Sequence, residues 1–301
     1  MSRRTRADTF WRVLPKRLTI LGVGLLGGSI GLAVKAANLD CRIVGYGHRR
    51  LTLDTALNLG IIDEAFDSPA ESVADSDWII LATPVGTFQS LLEQIAPALK
   101  ANTIVTDVGS TKRSIVRLAE SLLPDHAHFI GSHPMAGSEK RGIEFARADL
   151  FKNARCILTP TPASNPHAVE FVDEFWRLLG MHTARMSPDN HDRLVCDISH
   201  LPHALAAALV AMQSEDALNL AGAGFLDTTR IAGGDGALWR DILVDNRDNL
   251  TASLSRLRAQ LDHLESMLSP DQSERLRTWL DAAADRRAQL LAAKLRELHP
   301  E

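Results

Sequence analysis

The feature that most constrains this chain is a rhythm in its first two thirds. The runs LTILGVG, CRIVGYG, DWIILATP, NTIVTDVG, AHFIGSHP, ARCILTP and MHTARM are rich in apolar and β-branched residues. They are spread from Arg17 to about Arg185, with stretches long enough for crossover helices between them. Strands spaced in this way build a doubly wound, mostly parallel sheet of the α/β class. The pattern stops at RMSPDNHD, where Ser187 suits a helix N-cap and Pro188 the first helical position. Beyond it the chain reads as helix, which predicts two domains, residues 1–186 and 187–301. Leu250, Leu254, Leu257, Leu261, Leu264 and Leu268 then recur at helical spacing and form one apolar stripe. That stripe is either core packing or a contact between two copies of the chain.

Composition excludes some classes of function. The formal net charge is −4 and basic residues are scattered apart from MSRRTR at the start, which predicts no nucleic-acid partner. No run reaches the ~18 apolar residues of a membrane span, and the basic first segment is interrupted by Asp8, Arg12 and Pro15, unlike a signal peptide. Cys41, Cys156 and Cys196 form no CxxC pair. The expectation is therefore a cytoplasmic protein with no membrane partner and no bound metal.

The first strand runs into GVGLLGGSIG, which sets Gly22, Gly24 and Gly27 as G-x-G-x-x-G between a strand and an amphipathic helix. The first glycine makes a tight turn, the second lets backbone approach a pyrophosphate, and the third packs helix against strand, with Leu25 and Leu26 on the same turn. This is a Rossmann-like dinucleotide site. An NAD site normally places Asp or Glu at the end of the second strand, about 20 residues on, for the ribose 2′-hydroxyl. Here Gly47 stands there, followed by His48, Arg49 and Arg50. A missing carboxylate and an available guanidinium favour a 2′-phosphate, so NADP is predicted, with NAD still open. Thr83, Pro84, Gly109 and Ser110 follow later strands, at the carboxyl ends where such sheets bind ligands, and are expected near the nicotinamide. Asp107 belongs there too, or else only caps the next helix.

In their order along the chain, GVGLLGGSIGLA, LATPV, DVGSTK, GSHPMAGSEKRG, SPDNHD, SHLPHALA and TRIAGGDGALWRDI closely resemble the prephenate/arogenate dehydrogenase family, over nearly the whole sequence. The resemblance implies a nicotinamide-dependent oxidative decarboxylation of a cyclohexadienyl ring, and a helical C-terminal domain that dimerises, so a homodimer is expected. The chemistry needs a group to accept the proton of the ring 4-hydroxyl, and histidine suits it. His133 is read as that acceptor and Ser110 as the hydroxyl that orients it, with His133 in a segment too rich in Gly and Pro for helix or strand. Ser199 and His203, four apart on a helix, form a substrate-facing pair, with His200 turned elsewhere and Pro202 kinking the helix. Arg230 matches the family's carboxylate-binding arginine, whereas Arg240 reads as a structural ion pair. Some members carry a lysine where this chain has Leu226, which weakens the case for prephenate and leaves arogenate open. Ser138 and Glu139 are close enough in sequence to His133 to line the same pocket, without an assigned role. Two other readings are a different NADP-dependent dehydrogenase with a helical second domain, and a non-catalytic NADP-sensing regulator.

Overall fold

The structure is a computed structural model that describes residues 15–137, 140 and 142–298. Eight strands form one sheet: β1 (Arg17–Leu21), β2 (Arg42–Tyr46), β3 (Glu64–Phe66), β4 (Trp78–Leu81), β5 (Ile104–Asp107), β6 (His128–Pro134), β7 (Arg155–Thr159) and β8 (His182–Arg185). Their order is β3-β2-β1-β4-β5-β6-β7-β8. All seven expected runs become strands, and the short β3 joins them at one edge. Neighbours from β3 through β6 pair in parallel, as do β7 and β8, but β6 and β7 are antiparallel, with His133 opposite Ile157. Where the described chain between β6 and β7 is regular, it makes only the 3-10 turn Ile143–Phe145. Without a crossover helix the returning strand can pair only in the opposite sense.

Helices cover both faces. On one side α1 (Leu25–Ala36), α2 (Arg50–Asn58) and α6 (Pro166–Leu178) pack their buried residues with Leu18, Ile20, Trp78, Ile80, Ile104 and Ile130. On the other, α3 (Pro69–Val73), α4 (Phe88–Ile95) and α5 (Arg113–Leu122) pack with Leu21, Ile79, Leu81, Val105 and Phe129. Trp78 and Ile80 thus face one layer while Ile79 and Leu81 face the other. This is the period-two alternation of strands buried on both sides, and it explains why they read as continuous apolar runs.

Beyond β8 the described chain holds helices and no strand. Ser187 caps α7 (Pro188–Val195) by accepting the backbone N–H of Asn190 at 3.3 Å, with Pro188 in the first turn. A π-turn, Cys196–His200, follows, and then α8 (Leu201–Ala211), α9 (Glu215–Asn219), α10 (Ala223–Thr229), α11 (Gly236–Asp245), α12 (Arg247–Glu265) and α13 (Ser273–Leu298). The stretch Pro188–Ala211 is long and apolar enough, by length and composition, to cross a membrane. This corrects the expectation that no such stretch exists; from Leu194 to Ala211 only Asp197 interrupts it among Asp, Glu, Lys and Arg.

By contact density the chain divides into two compact units, one ending at Arg247 and one beginning at Asp248. The first holds the sheet and the helices through α11. The second holds α12, from its second residue, and α13. None of the six stripe leucines is buried, and Leu261 and Leu268 are 53% and 65% exposed. A core role within one chain would have buried them.

Candidate active site

The first glycine turn has the geometry its sequence demands. Gly22 adopts φ +106°, and a Cβ there would lie 2.7 Å from the Ala82 carbonyl carbon. A Cβ on Gly27 would lie 2.0 Å from the Gly22 oxygen, so α1 can approach β1 this closely only without a side chain. Gly24 is the N-cap of α1, with no side-chain cap and no acidic residue in the first turn. A Cβ on Gly24 would meet nothing within 4 Å. Open space in front of uncapped N–H groups at Leu25, Leu26 and Gly27 suits a pyrophosphate, so these residues fit a dinucleotide.

At the other end of that site, His48, Arg49 and Arg50 are exposed just after β2. The two arginines differ. Arg50 donates from Nε to Asp54 at 2.9 Å and from Nη1 to Asp67 at 3.3 Å. Arg49 is the N-cap of α2: its carbonyl accepts the Thr52 N–H at 3.0 Å, while its guanidinium makes no hydrogen bond or ion pair among the described residues. The half-buried Thr83 shares a 2.7 Å hydrogen bond with Thr87, and exposed Pro84 follows it after β4. Past β5, the Gly109 N–H donates to Asp107 Oδ2 at 2.8 Å.

Asp107 is wholly buried and pairs with Lys112 Nζ, also wholly buried. Burial pushes its carboxyl upward, against Lys112 and the N–H donors of Gly109 and Ser132. It does not cap the following helix. That role falls to Asp192 of α7, whose carboxylate accepts the backbone N–H of Lys112 at 2.8 Å and of Arg113 at 2.9 Å.

His133 lies within β6 rather than in a loop. Its antiparallel pairing with β7 supplies partners that Gly131 and Pro134 conceal in the sequence. The imidazole is 8% exposed, and its Nδ1 is 2.9 Å from Nε2 of His191. His191 Nδ1 is in turn 2.7 Å from Asp192 Oδ1, and neither residue is appreciably exposed. Ser110 was expected on His133; the hydrogen-bonded neighbour on Nδ1 is His191, while Ser110 sits half-buried past the carboxyl end of β5. Burial holds His133 well below the ordinary histidine range, reinforced by His191, Lys112 and His200, which disfavours the charged ring. Burial works to raise the Asp192 carboxyl, but hydrogen bonds from His191 and the backbone of Arg113 and Lys112 prevail and keep it below the usual range.

The second histidine motif is re-phased. The Leu201 N–H bonds five residues back, to the Cys196 oxygen, which forms the π-turn just before Pro202. Proline offers no N–H, and a wider turn absorbs the gap. His200 and His203 both face Trp239: His203 stacks on it at 3.5 Å and 11°, and His200 meets it edge-on at 6.3 Å. His200 is therefore not turned away, and Ser199 is only half-buried. Asn246 Nδ2 donates to His200 Nδ1 at 3.0 Å and to the Asp192 carbonyl at 2.8 Å. Burial lowers His200 to about 4 and lowers His203 as well. Arg230 opens the 3-10 turn Arg230–Gly233 and is exposed, and Arg240 pairs with its neighbour Asp241. Ser138 and Glu139 lie outside the described residues. Sequence reasoning missed His191, Asp192, Trp239 and Asn246. The His-Asp doublet inside SPDNHD was the available signal for the first two.

The family model for the prephenate dehydrogenase nucleotide-binding domain matches residues 30–185, and that for the prephenate dehydrogenase dimerization domain matches residues 187–282. Prephenate dehydrogenase of Bacillus subtilis is 37% identical over 90% of this chain and 75% of its own length. Cyclohexadienyl dehydrogenase of Zymomonas mobilis is 31% identical over 87% and 91%. Among solved structures, prephenate dehydrogenase from Aquifex aeolicus, in complex with hydroxyphenyl propionate and NAD+, superimposes with a TM-score of 0.87 at 33% identity. That match covers 91% of this chain and 98% of the other. Synechocystis arogenate dehydrogenase gives 0.79 at 31% identity, over 91% and 99%. The chain belongs to the prephenate/arogenate dehydrogenase family and is an NAD(P)-dependent oxidoreductase of that family.

Proposed function

We propose that this chain catalyses the NADP-dependent oxidative decarboxylation of prephenate to 4-hydroxyphenylpyruvate, or of arogenate to tyrosine, with His133 as the proton acceptor. The observation that carries the reading is a buried imidazole near the carboxyl end of β6, its Nδ1 engaged by His191, its Nε2 left for a substrate, and its protonation opposed by burial. Gly22, Gly24, Leu25, Leu26 and Gly27 hold the pyrophosphate, Arg49 meets the 2′-phosphate, and Thr83, Pro84 and Gly109 line the nicotinamide end. When bound, the nicotinamide supplies the hydride acceptor.

His133 takes the 4-hydroxyl proton as the ring carbon loses hydride, so that the carbon–oxygen double bond can form. Loss of the ring carboxylate as CO2 then returns electrons through the ring to that oxygen, and the ring becomes aromatic. The oxygen takes back one proton, and His133 returns to its starting state. The balance is one substrate and one oxidised cofactor giving one aromatic product, one CO2 and one reduced cofactor. Ser110 is assigned to the hydroxyl side of the same ring. Ser199 and His203, the latter fixed by its stack on Trp239, contact the substrate's polar groups. Arg230 takes a carboxylate through its planar fork. Ser138 and Glu139, close to His133 in sequence, are kept as candidates for contact with the substrate.

We assign residues 1–186 to the cofactor and 187–301 to substrate binding and dimerisation. A homodimer is supported by the unburied leucine stripe and by exposed Leu194, Ile198, Leu209 and Met212 on the α7–α8 stretch, apolar surface that a single chain leaves to water. A cytoplasmic location is supported by the three unpaired cysteines. The test is an assay of both substrates against both cofactors. Reduction of NADP with one of the substrates is expected, and silence in all four combinations refutes the proposal.

A further inference from the structure

We propose that His191 and Asp192 are positioning residues that hold His133 as the Nδ1–H tautomer and so leave its Nε2 as a bare base toward the substrate. The inference rests on His133 being the proton acceptor. A neutral imidazole can carry its proton on either nitrogen, and only one of the two forms can accept a proton at Nε2. The structure decides between them through a one-way chain of hydrogen bonds.

The chain starts at Asp192, an acceptor at both oxygens. The backbone N–H groups of Lys112 and Arg113, at 2.8 and 2.9 Å, fix its carboxylate at the start of α5. Its Oδ1 lies 2.7 Å from His191 Nδ1, so that nitrogen carries the hydrogen. Neutral His191 then has a bare Nε2. That atom lies 2.9 Å from His133 Nδ1, which must donate to it. Running the chain the other way requires either a protonated Asp192, which its three donors oppose, or a cationic His191 donating from both nitrogens, which its burial opposes. The surroundings are consistent with the assignment: burial and then the nearby Lys112, itself paired with Asp107, press His133 toward neutrality. His191 cannot serve as the base in place of His133, since both of its nitrogens are engaged and it is 0% exposed. Three elements, α5, α7 and β6, thus converge to present one lone pair.

Two measurements test the inference. In native protein labelled with 15N-histidine at neutral pH, the His133 resonances, assigned by their loss in His133→Asn, should show the proton on Nδ1. A proton on Nε2 overturns the inference. In kinetics, His191→Phe keeps a ring but removes both nitrogens, and should lower kcat by ~10² with KM within about twofold. His191→Gln restores an acceptor near the lost Nε2 and should recover to within about tenfold of native. Native turnover in His191→Phe, or a Gln variant no better than Phe, overturns the inference. If His191→Phe does not fold, the tautomer in the native protein decides alone. A silent His133→Asn beside a native-like His191→Phe removes only this inference, whereas a fully active His133→Asn removes the reading on which it rests.

Discussion

Cofactor choice can be tested at one side chain. Arg49 is exposed at the N-cap of α2 and its guanidinium has no partner among the described residues, whereas Arg50 has Nε and Nη1 committed to Asp54 and Asp67. If a 2′-phosphate is bound after β2, Arg49 is the guanidinium free to fork onto it. A charge-assisted hydrogen bond contributes about 1.5–3 kcal/mol, and solvent screening at an exposed position takes the value toward the lower end. At 1.4 kcal/mol per factor of ten, Arg49→Ala should raise KM for NADP about 10- to 30-fold. KM for NAD, which lacks the phosphate, should change by less than about twofold. Arg50→Ala should cost NADP less than about threefold, because exposed ion pairs such as its own contribute little. Steady-state kinetics with each cofactor at saturating substrate reads all three. An unchanged KM for NADP in Arg49→Ala, or an equal rise for both cofactors, refutes the argument.

His133→Asn should lower kcat by ~10²–10⁴ with substrate KM largely kept, measured by initial rates. Because burial holds His133 below its ordinary value of 6.5, the acid limb of kcat/KM against pH should lie below 6.5. A limb above that value contradicts the buried environment. The same burial depresses His191, His200 and His203. Between their folded values and about 6.5 the unfolded chain therefore binds more protons than the folded one, so stability should fall as pH drops through that window, read as a lower Tm. Gly47→Asp should shift preference toward NAD, since a Cβ there meets only Leu53, no closer than 3.6 Å, and a carboxylate would repel a 2′-phosphate. An unchanged ratio of kcat/KM for the two cofactors counts against the NADP reading.

The sequence carried what short-range chemistry determines. Strands buried on both faces show as unbroken apolar runs, so the parallel sheet was legible, and Gly22 and Gly27 announced a turn that no other residue fits. β3 escaped notice because three residues, Glu64–Phe66, carry no period. The placement of His133 in a strand was hidden because its partner strand lies more than twenty residues away and antiparallel. Ser110 seemed its natural partner along the chain. The observed partner, His191, is 58 positions distant in sequence, and only folding brings α7 against β6. His200 was misplaced because helical spacing assumes an unbroken ladder, which the π-turn before Pro202 interrupts. The leucine stripe left core and interface equally open because its spacing is the same in either case.

In the proposed reaction, hydride loss and decarboxylation occur on one ring in one turnover. With substrate labelled in the ring carboxylate, the released CO2 and the reduced NADP should be equimolar throughout the reaction with prephenate or with arogenate. Cofactor reduction without CO2 release, or no reduction with either substrate, would contradict it.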